Sequence, residues 1–380
     1  MMIKVGTTGQ TGFVGTHLFN SLNLDKEHFE TIPFEDRFFS DSNLLEEWVS
    51  KCDVIVHLAA LNRHNNAAVI YNTNILLVNQ LISACHKTHS TPHILFSSST
   101  QEDKDNMYGK SKKKGRKLLE EWADKNAAQF TGLVIPNVFG PFGAPYYNSV
   151  VATFCHQLTH NQTPKIEVDG DLKLIYVGEL VVQIIEHILL NHAKQINGVA
   201  IEEIHLLHTS KLKVTYLLKL LQEYKSGYFE NGEMPALDTP FKKNLFNTFL
   251  SYIDHASFFP FPLKMNNDQR GSFVETIKLN SGGQVSFSTT VEGVTRGNHF
   301  HTRKAERFAV IKGKALIELR RIGTNDVLHF ELNGDKPSFV DMPIWFTHNI
   351  KNIGTDVLYT IFWVNEFFDP NDPDTFYEKV

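Results

Sequence analysis

The apolar pattern of the chain changes period about two-thirds of the way along. At the start, the β-rich run "MIKVG" passes through glycines into "TGFVGTHLFNSL", where apolar positions recur at helical spacing. Apolar runs at "HFETI" (28–32), "CDVIVHLAALN" (52–62) and "HILFSSST" (93–100) follow, with helical segments between them. This alternation predicts an α/β unit with about six to seven parallel strands. "NMYGKSKKKGRKLLEEWAD" reads as a helix with a basic, solvated face, and "ELVVQIIEHILLNH", interrupted by Glu186 and His187, as a packed helix. Between 228 and 262, prolines and "SFFPFP" break any long periodic element, although "FKKNLFNTFLSYI" still reads as a helix. From about 265 the pattern alternates: "GSFVETIKL", "GQVSFSTT", "RFAVIKGKALIELRRI", "DVLHFEL" and "VLYTIFWVNEF" are divided by glycines and asparagines. That predicts an antiparallel barrel or jelly roll. The expected domains are therefore 1–255 and 256–380, with "FFDPNDPDTFYEKV" an ordered arm held by its aromatic residues.

Composition adds limits. The 380 residues are 42% hydrophobic and 21% charged, which describes a folded globular chain rather than a disordered one. A formal charge of -5 offers no bulk attraction to nucleic acid. Cys52, Cys85 and Cys155 lie too far apart for a metal spacing or a disulfide framework, so a reducing compartment is expected. The first residues reach glycines and polar groups too early for a signal peptide, and no apolar run approaches the roughly 20 residues of a bilayer span. The expectation is a cytoplasmic protein with neither a nucleic-acid nor a membrane partner.

Two constellations carry chemistry. Gly6, Gly9 and Gly12 lie between a strand and a helix, where missing Cβ atoms let the backbone approach a pyrophosphate at a helix start. No acidic residue closes the second strand to accept a ribose hydroxyl; Glu35 and Asp36 come late, and Arg37 is placed to pair with a 2′-phosphate, which favours NADP over NAD. Ala59 is one of the small residues at the end of the third strand, where a dinucleotide would cross. Tyr108 and Lys112, four apart, share a helix face. A tyrosine with its pKa lowered by an ammonium would protonate a forming alkoxide, and Ser99 would hold the same oxygen. Arg63 and Asn148 are candidate substrate contacts, with a surface arginine and a loop cap as the plain alternatives. In the last third, His299 and His301 fall on one side of a strand, Glu306 follows on the outgoing strand, and "DMPIWFTHNIKN" supplies His348. Three imidazoles and a carboxylate suit Zn²⁺ or another borderline divalent ion.

In order and spacing, the first 250 or so residues resemble the extended short-chain dehydrogenase/reductase family. The resemblance implies catalytic roles for Ser99, Tyr108 and Lys112 and makes Asn74 the asparagine that steadies the helix and lysine. It also makes "IPNVFGP", with Asn137, the substrate-side loop. The "VYG" that often follows the serine strand is missing, and Leu77 stands where a glycine is usual. The later spacing resembles both cupin motifs: G-x5-H-x-H-x4-E-x6-G is complete from Gly293 to Gly313, and P-x4-H-x3-N runs through Pro343, His348 and Asn352. Trp345 replaces a common glycine, which puts the loop shape in question. Taken whole, the chain resembles bifunctional capsular polysaccharide enzymes of UDP-N-acetyl-L-fucosamine synthesis. The resemblance implies zinc at His299, His301, Glu306 and His348, a homodimer, and a UDP-linked 4-keto sugar substrate; some cupins use these positions without metal, and His299 or His301 would then be the epimerase base. Epimerisation at C3 of a UDP-2-acetamido-2,6-dideoxy-4-hexulose by the cupin would precede reduction at C4 with NADPH, to give UDP-2-acetamido-2,6-dideoxy-β-L-talose. The alternatives are a single-activity reductase with a structural or dimerising cupin, and a non-catalytic sugar-nucleotide sensor.

Overall fold

The computed structural model describes residues 2–194 and 200–380. The chain forms two compact units: Met1–Phe139 with Gly143–Val150 and Gly170–Lys213, and Val214–Val380 with Gly140–Phe142 and Val151–Asp169. The segment 214–255, expected with the first domain, thus clusters with the β-rich unit. Its helices bury side chains against the barrel: Tyr228 donates to Asp341 at 2.6 Å, and Phe258 packs on the core that contains Phe308 and Phe339.

In the first unit, β1 (Ile3–Thr8), β2 (Phe29–Ile32), β3 (Val54–His57), β4 (His93–Ser99) and β5 (Phe130–Ile135) form a parallel sheet with Ile201–His205, in the order β2-β1-β3-β4-β5 and then Ile201–His205. Six strands in this sheet agree with the expected parallel architecture. The burial patterns of β3 and β5 are continuous, as both faces of a parallel sheet require. Direction of winding reverses between β1 and β3, which places the crevice for a ligand beyond the carboxyl ends of these two strands.

The helix Ala67–Thr88 buries Ile70, Asn74, Val78, Leu81, Ala84 and Cys85, at helical spacing, and packs against Met107–Asn126. Among the described residues it alone is long and apolar enough by length and composition to cross a membrane. This corrects the reading that no run approaches that limit; Asn72, Asn74, Asn79 and Gln80 punctuate the segment without lowering its average enough. The basic run of the next helix lies outside, with Lys110, Lys113, Lys114 and Lys117 exposed.

The second unit is an antiparallel two-sheet jelly roll. One sheet orders Phe261–Pro262, Ser338–Met342, Glu306–Lys312, Leu358–Val364 and Gln284–Thr290; the other orders Val327–Asn333, Lys314–Arg321, Phe346–Asn352, Thr295–Phe300 and Phe376–Tyr377. Phe308, Val310, Ile317, Leu319, Phe330, Phe339, Val340 and Ile350 fill the space between them. The C-terminal arm is ordered, as expected: Phe376 stacks on Phe300 at 5.4 Å and extends the second sheet.

Candidate active sites

In the first unit the turn after β1 meets the end of β3. Gly9 has φ of 68°, and a Cβ there would stand 3.0 Å from the backbone of Ala59. The two proposed cofactor contacts are thus neighbours, and Thr8 bonds across the gap, its hydroxyl accepting from Ala59 N–H at 3.2 Å and meeting His57 Nδ1 at 2.7 Å. Gly12 caps the helix Phe13–Leu22, its N–H bonded to Gly9 O. Gly6 lies elsewhere, inside β1, where a Cβ would strike the Trp48 ring at 2.4 Å and Cys52 Sγ at 2.6 Å. Close packing of the helix Ser42–Val49 accounts for that glycine. Arg37 is exposed and pairs with Glu35 at 2.7 Å.

Lys112 is buried, with its ammonium donating to Ser97 O at 2.8 Å and lying 5.0 Å from the Phe96 ring centre. Burial outweighs the attraction of Glu102 and lowers its pKa to about 7. Tyr108 is 5.8 Å from this ammonium at its ring centre, yet burial and the nearby Tyr147 push its hydroxyl up to about 12. The expected lowering is therefore reversed, because desolvation dominates where the ammonium stands beside the ring. Ser99 ends β4, and its hydroxyl accepts from Gln101 N–H at 3.2 Å. Gly109 brings the tyrosine helix onto this turn: a Cβ there would sit 1.9 Å from Gln101 O. A buried fork from Arg116 to Glu102, at 3.0 and 2.9 Å, fixes the same junction.

Asn74 steadies the helix by a different route from the one implied. Its Nδ2 donates to Ser111 Oγ at 2.9 Å and to Leu61 O at 3.2 Å, its Oδ1 accepts from Leu61 N–H at 2.7 Å, and Ser111 Oγ donates to Tyr108 O at 2.7 Å. The lysine is held by Ser97. Neither Ser97 nor Ser111 was evident from sequence, although the "SSS" run and the "YGKS" spacing contain them. Arg63 and Asn148 do come together: Arg63 donates to Tyr146 O and Asn148 Nδ2 to Asn62 O at 3.0 Å, clasping two loops. Asn137 is exposed at the start of a separate short strand.

In the second unit, His299, His301, Glu306 and His348 converge, with one ligand atom from each inside a 4.8 Å span. A bulge between Gly297 and His299 aims the first imidazole, and the register pairs His299 with His348. Nε2 of His348, His301 and His299 lies 3.1, 3.3 and 3.9 Å from Glu306 Oε2. The outer nitrogens are occupied: Nδ1 of His348 meets Phe346 O at 3.2 Å, and Nδ1 of His301 meets Asp374 O. A carbonyl only accepts, so His301 Nδ1 carries hydrogen and in the neutral ring its Nε2 lone pair faces inward, whereas His348 Nε2 lies within hydrogen-bond distance of Glu306 Oε2 at 3.1 Å. His301 Nε2 is buried without a hydrogen bond, opposite a carboxylate. Three imidazole nitrogens gathered on one carboxylate, with His301 Nε2 unpartnered, form a donor set that fits a divalent metal. The imidazoles hold Glu306 well below the usual carboxylate range despite burial. Burial lowers His348, while Glu306 and the Asp374 carbonyl raise His301 against its own burial.

Trp345 resolves the loop question. It adopts φ of 63°, the conformation glycine would take, donates its N–H to His301 O at 2.8 Å and stacks on Phe300 at 5.7 Å. Asn352 serves the fold, donating to Thr290 O and Asp356 O and accepting from Gly354 N–H.

Residues 6–198, 193 of the 380, match the model of the NAD dependent epimerase/dehydratase family. The chain belongs to that family. Residues 266–376 match a polysaccharide biosynthesis C-terminal domain. The chain is 32% identical, over 98% of its length and 98% of the relative's, to a UDP-2-acetamido-2,6-beta-L-arabino-hexul-4-ose reductase of Pseudomonas aeruginosa. It is 35% identical, over all of both chains and with a TM-score of 0.60, to the capsular polysaccharide assembling protein CapF from Staphylococcus aureus. A structure of RMD from Pseudomonas aeruginosa complexed with NADPH shares the fold of 59% of this chain and 83% of that one, at 20% identity and a TM-score of 0.51. Membership of the NAD dependent epimerase/dehydratase family makes a nicotinamide dinucleotide the cofactor class, and the crevice beside Gly9 and Ala59 is where the fold would receive it.

Proposed function

We propose that the chain is a bifunctional nucleotide-sugar enzyme that epimerises C3 of a UDP-2-acetamido-2,6-dideoxy-4-hexulose in the barrel and reduces its C4 ketone in the reductase unit. The product is UDP-2-acetamido-2,6-dideoxy-β-L-talose, a precursor of UDP-N-acetyl-L-fucosamine. The observation that carries the first step is the four-ligand cluster with its inward Nε2 atoms. Likeness to a reductase of a UDP-linked hexul-4-ose supports the second.

The C4 carbonyl acidifies the proton at C3; its removal and return on the opposite face inverts that carbon. His299, His301, Glu306 and His348 would hold zinc, and the bound ion supplies stabilisation for negative charge developing next to the ketone. A bound nicotinamide dinucleotide, NADPH in this reading, supplies hydride to C4, with Arg37 released from Glu35 to meet the 2′-phosphate. Tyr108 delivers the proton to the C4 oxygen, Ser99 bonds the same oxygen, and Lys112 and Asn74 keep the tyrosine helix in place. Arg63, Asn137 and Asn148 contact the nucleotide sugar. The protein works as a cytoplasmic homodimer.

A second reading is favoured by the reductase-only name of the relative: the barrel binds metal without moving a proton. His299→Ala separates the two. In the proposed scheme this variant loses bound zinc and C3 exchange, yet still oxidises NADPH with a ketone already epimerised. Unchanged C3 exchange removes the barrel from the chemistry.

A further inference from the structure

The C-terminal arm closes on the histidine strand through one side chain. Asp374 is 4% exposed, and φ of 42° places it in the left-handed region, which aspartate tolerates better than most residues. Its Oδ1 accepts from Thr302 N–H at 3.1 Å and from the Thr302 hydroxyl at 2.6 Å. Its Oδ2 accepts from Arg303 N–H at 3.1 Å and Lys304 N–H at 3.0 Å. The carboxylate thus gathers three successive backbone donors of the turn just after His301. The main-chain carbonyl of the same residue accepts from His301 Nδ1. One residue therefore grips the turn with its side chain and the imidazole with its backbone.

We infer that Asp374 is a positioning residue of the metal centre, fixing the tautomer and ring direction of His301 from the C-terminal arm. The inference rests on the divalent-metal reading above. The carboxylate holds the 302–304 turn, and this holds the Asp374 carbonyl against Nδ1. Hydrogen on Nδ1 leaves the Nε2 lone pair directed at the cluster, 3.3 Å from Glu306 Oε2. Without the side chain, only the neighbouring ties of Pro373 and Phe376 hold the arm, the carbonyl loosens from the ring, and the other tautomer, which turns a hydrogen toward the ion, gains population. Other ties along the arm do different work: Arg303 pairs with the exposed Asp372 at 2.7 Å, and Lys304 Nζ donates to Pro373 O at 2.7 Å. Neither reaches an imidazole.

The test uses the full-length protein, stripped of metal and labelled with ¹⁵N-histidine, as wild type, Asp374→Ala, Asp374→Asn and Asp372→Ala. Co²⁺ is titrated in competition with a chelator, and ring ¹⁵N shifts report each tautomer, with His301→Gln assigning the signal. Asp374→Ala is expected to bind Co²⁺ about 10–100-fold more weakly, the usual cost of losing a residue that orients a ligand. Its His301 should shift from the Nδ1–H form to a mixture. Asp372→Ala should match wild type. If Asp374→Ala does not fold by circular dichroism, Asp374→Asn and Thr302→Val, which removes only the hydroxyl bond, carry the same comparison with smaller losses. Wild-type affinity and an unchanged His301 tautomer in the Asp374 variants overturn this inference alone. Failure of the wild type to bind Co²⁺ overturns the metal reading and this inference with it.

Discussion

Replacing Lys112 by methionine should stabilise the cofactor-free protein below neutral pH while abolishing reduction. The ammonium is buried, and its pKa of about 7 stands against about 10.4 in an unfolded chain. Between those values the unfolded chain binds more protons, so stability rises with pH across the window and is lowest below about pH 7. At about 1.4 kcal/mol per tenfold change in proton affinity, the full handicap is about 5 kcal/mol at pH 6 and about 2 kcal/mol at pH 9. Methionine removes the charge but leaves Ser97 O without the 2.8 Å bond, a loss of about 1–3 kcal/mol. The net expectation is a gain of about 2–4 kcal/mol at pH 6 and about zero at pH 9. Urea unfolding at both pH values measures it, with the transition of the reductase unit identified as the one that added NADPH shifts in wild type. A variant equally or less stable than wild type at pH 6 would falsify the argument that desolvation dominates at this lysine.

Two further substitutions probe the geometry. Gly109→Ala puts a Cβ 1.9 Å from Gln101 O and must push the tyrosine helix off the Ser99 turn; kcat for ketone reduction should fall about 100-fold or more, and wild-type kcat would contradict the close approach. Arg307→Met strands Asp341, whose carboxylate otherwise takes a fork at 2.7 and 2.9 Å with both residues 1% exposed. The barrel should lose about 3–5 kcal/mol in denaturant unfolding, and a change under about 1 kcal/mol would mean that the pair is not structural.

Motifs whose members sit close in sequence were legible, and long-range contacts were not. The alternation of "RFAVIKGKALIELRRI" announced two strands, though not that they go to different sheets, and the histidine spacing announced their cluster, because strand period and bulge act locally. Gly6 shows the opposite case: it matches a turn spacing, but its missing side chain makes room for Trp48, which no pattern near residue 6 reveals. Tyr108 and Lys112 were found from their spacing, while the sign of the tyrosine's shift depends on burial and on Tyr147. Asp374 stands far down the chain from His301, inside an arm that reads only as aromatic anchoring. The division of 214–255 with the barrel was hidden for the same reason, since Tyr228 meets Asp341 across 113 residues.

The central claim is that proton movement at C3 belongs to the barrel and hydride transfer at C4 to the reductase unit. It is tested most directly by proton NMR in deuterium oxide, with Tyr108→Phe protein and the UDP-linked 4-ketone. The account predicts that deuterium enters C3 at the wild-type rate while NADPH oxidation is lost. Loss of both signals together, or retention of full NADPH oxidation, would contradict it.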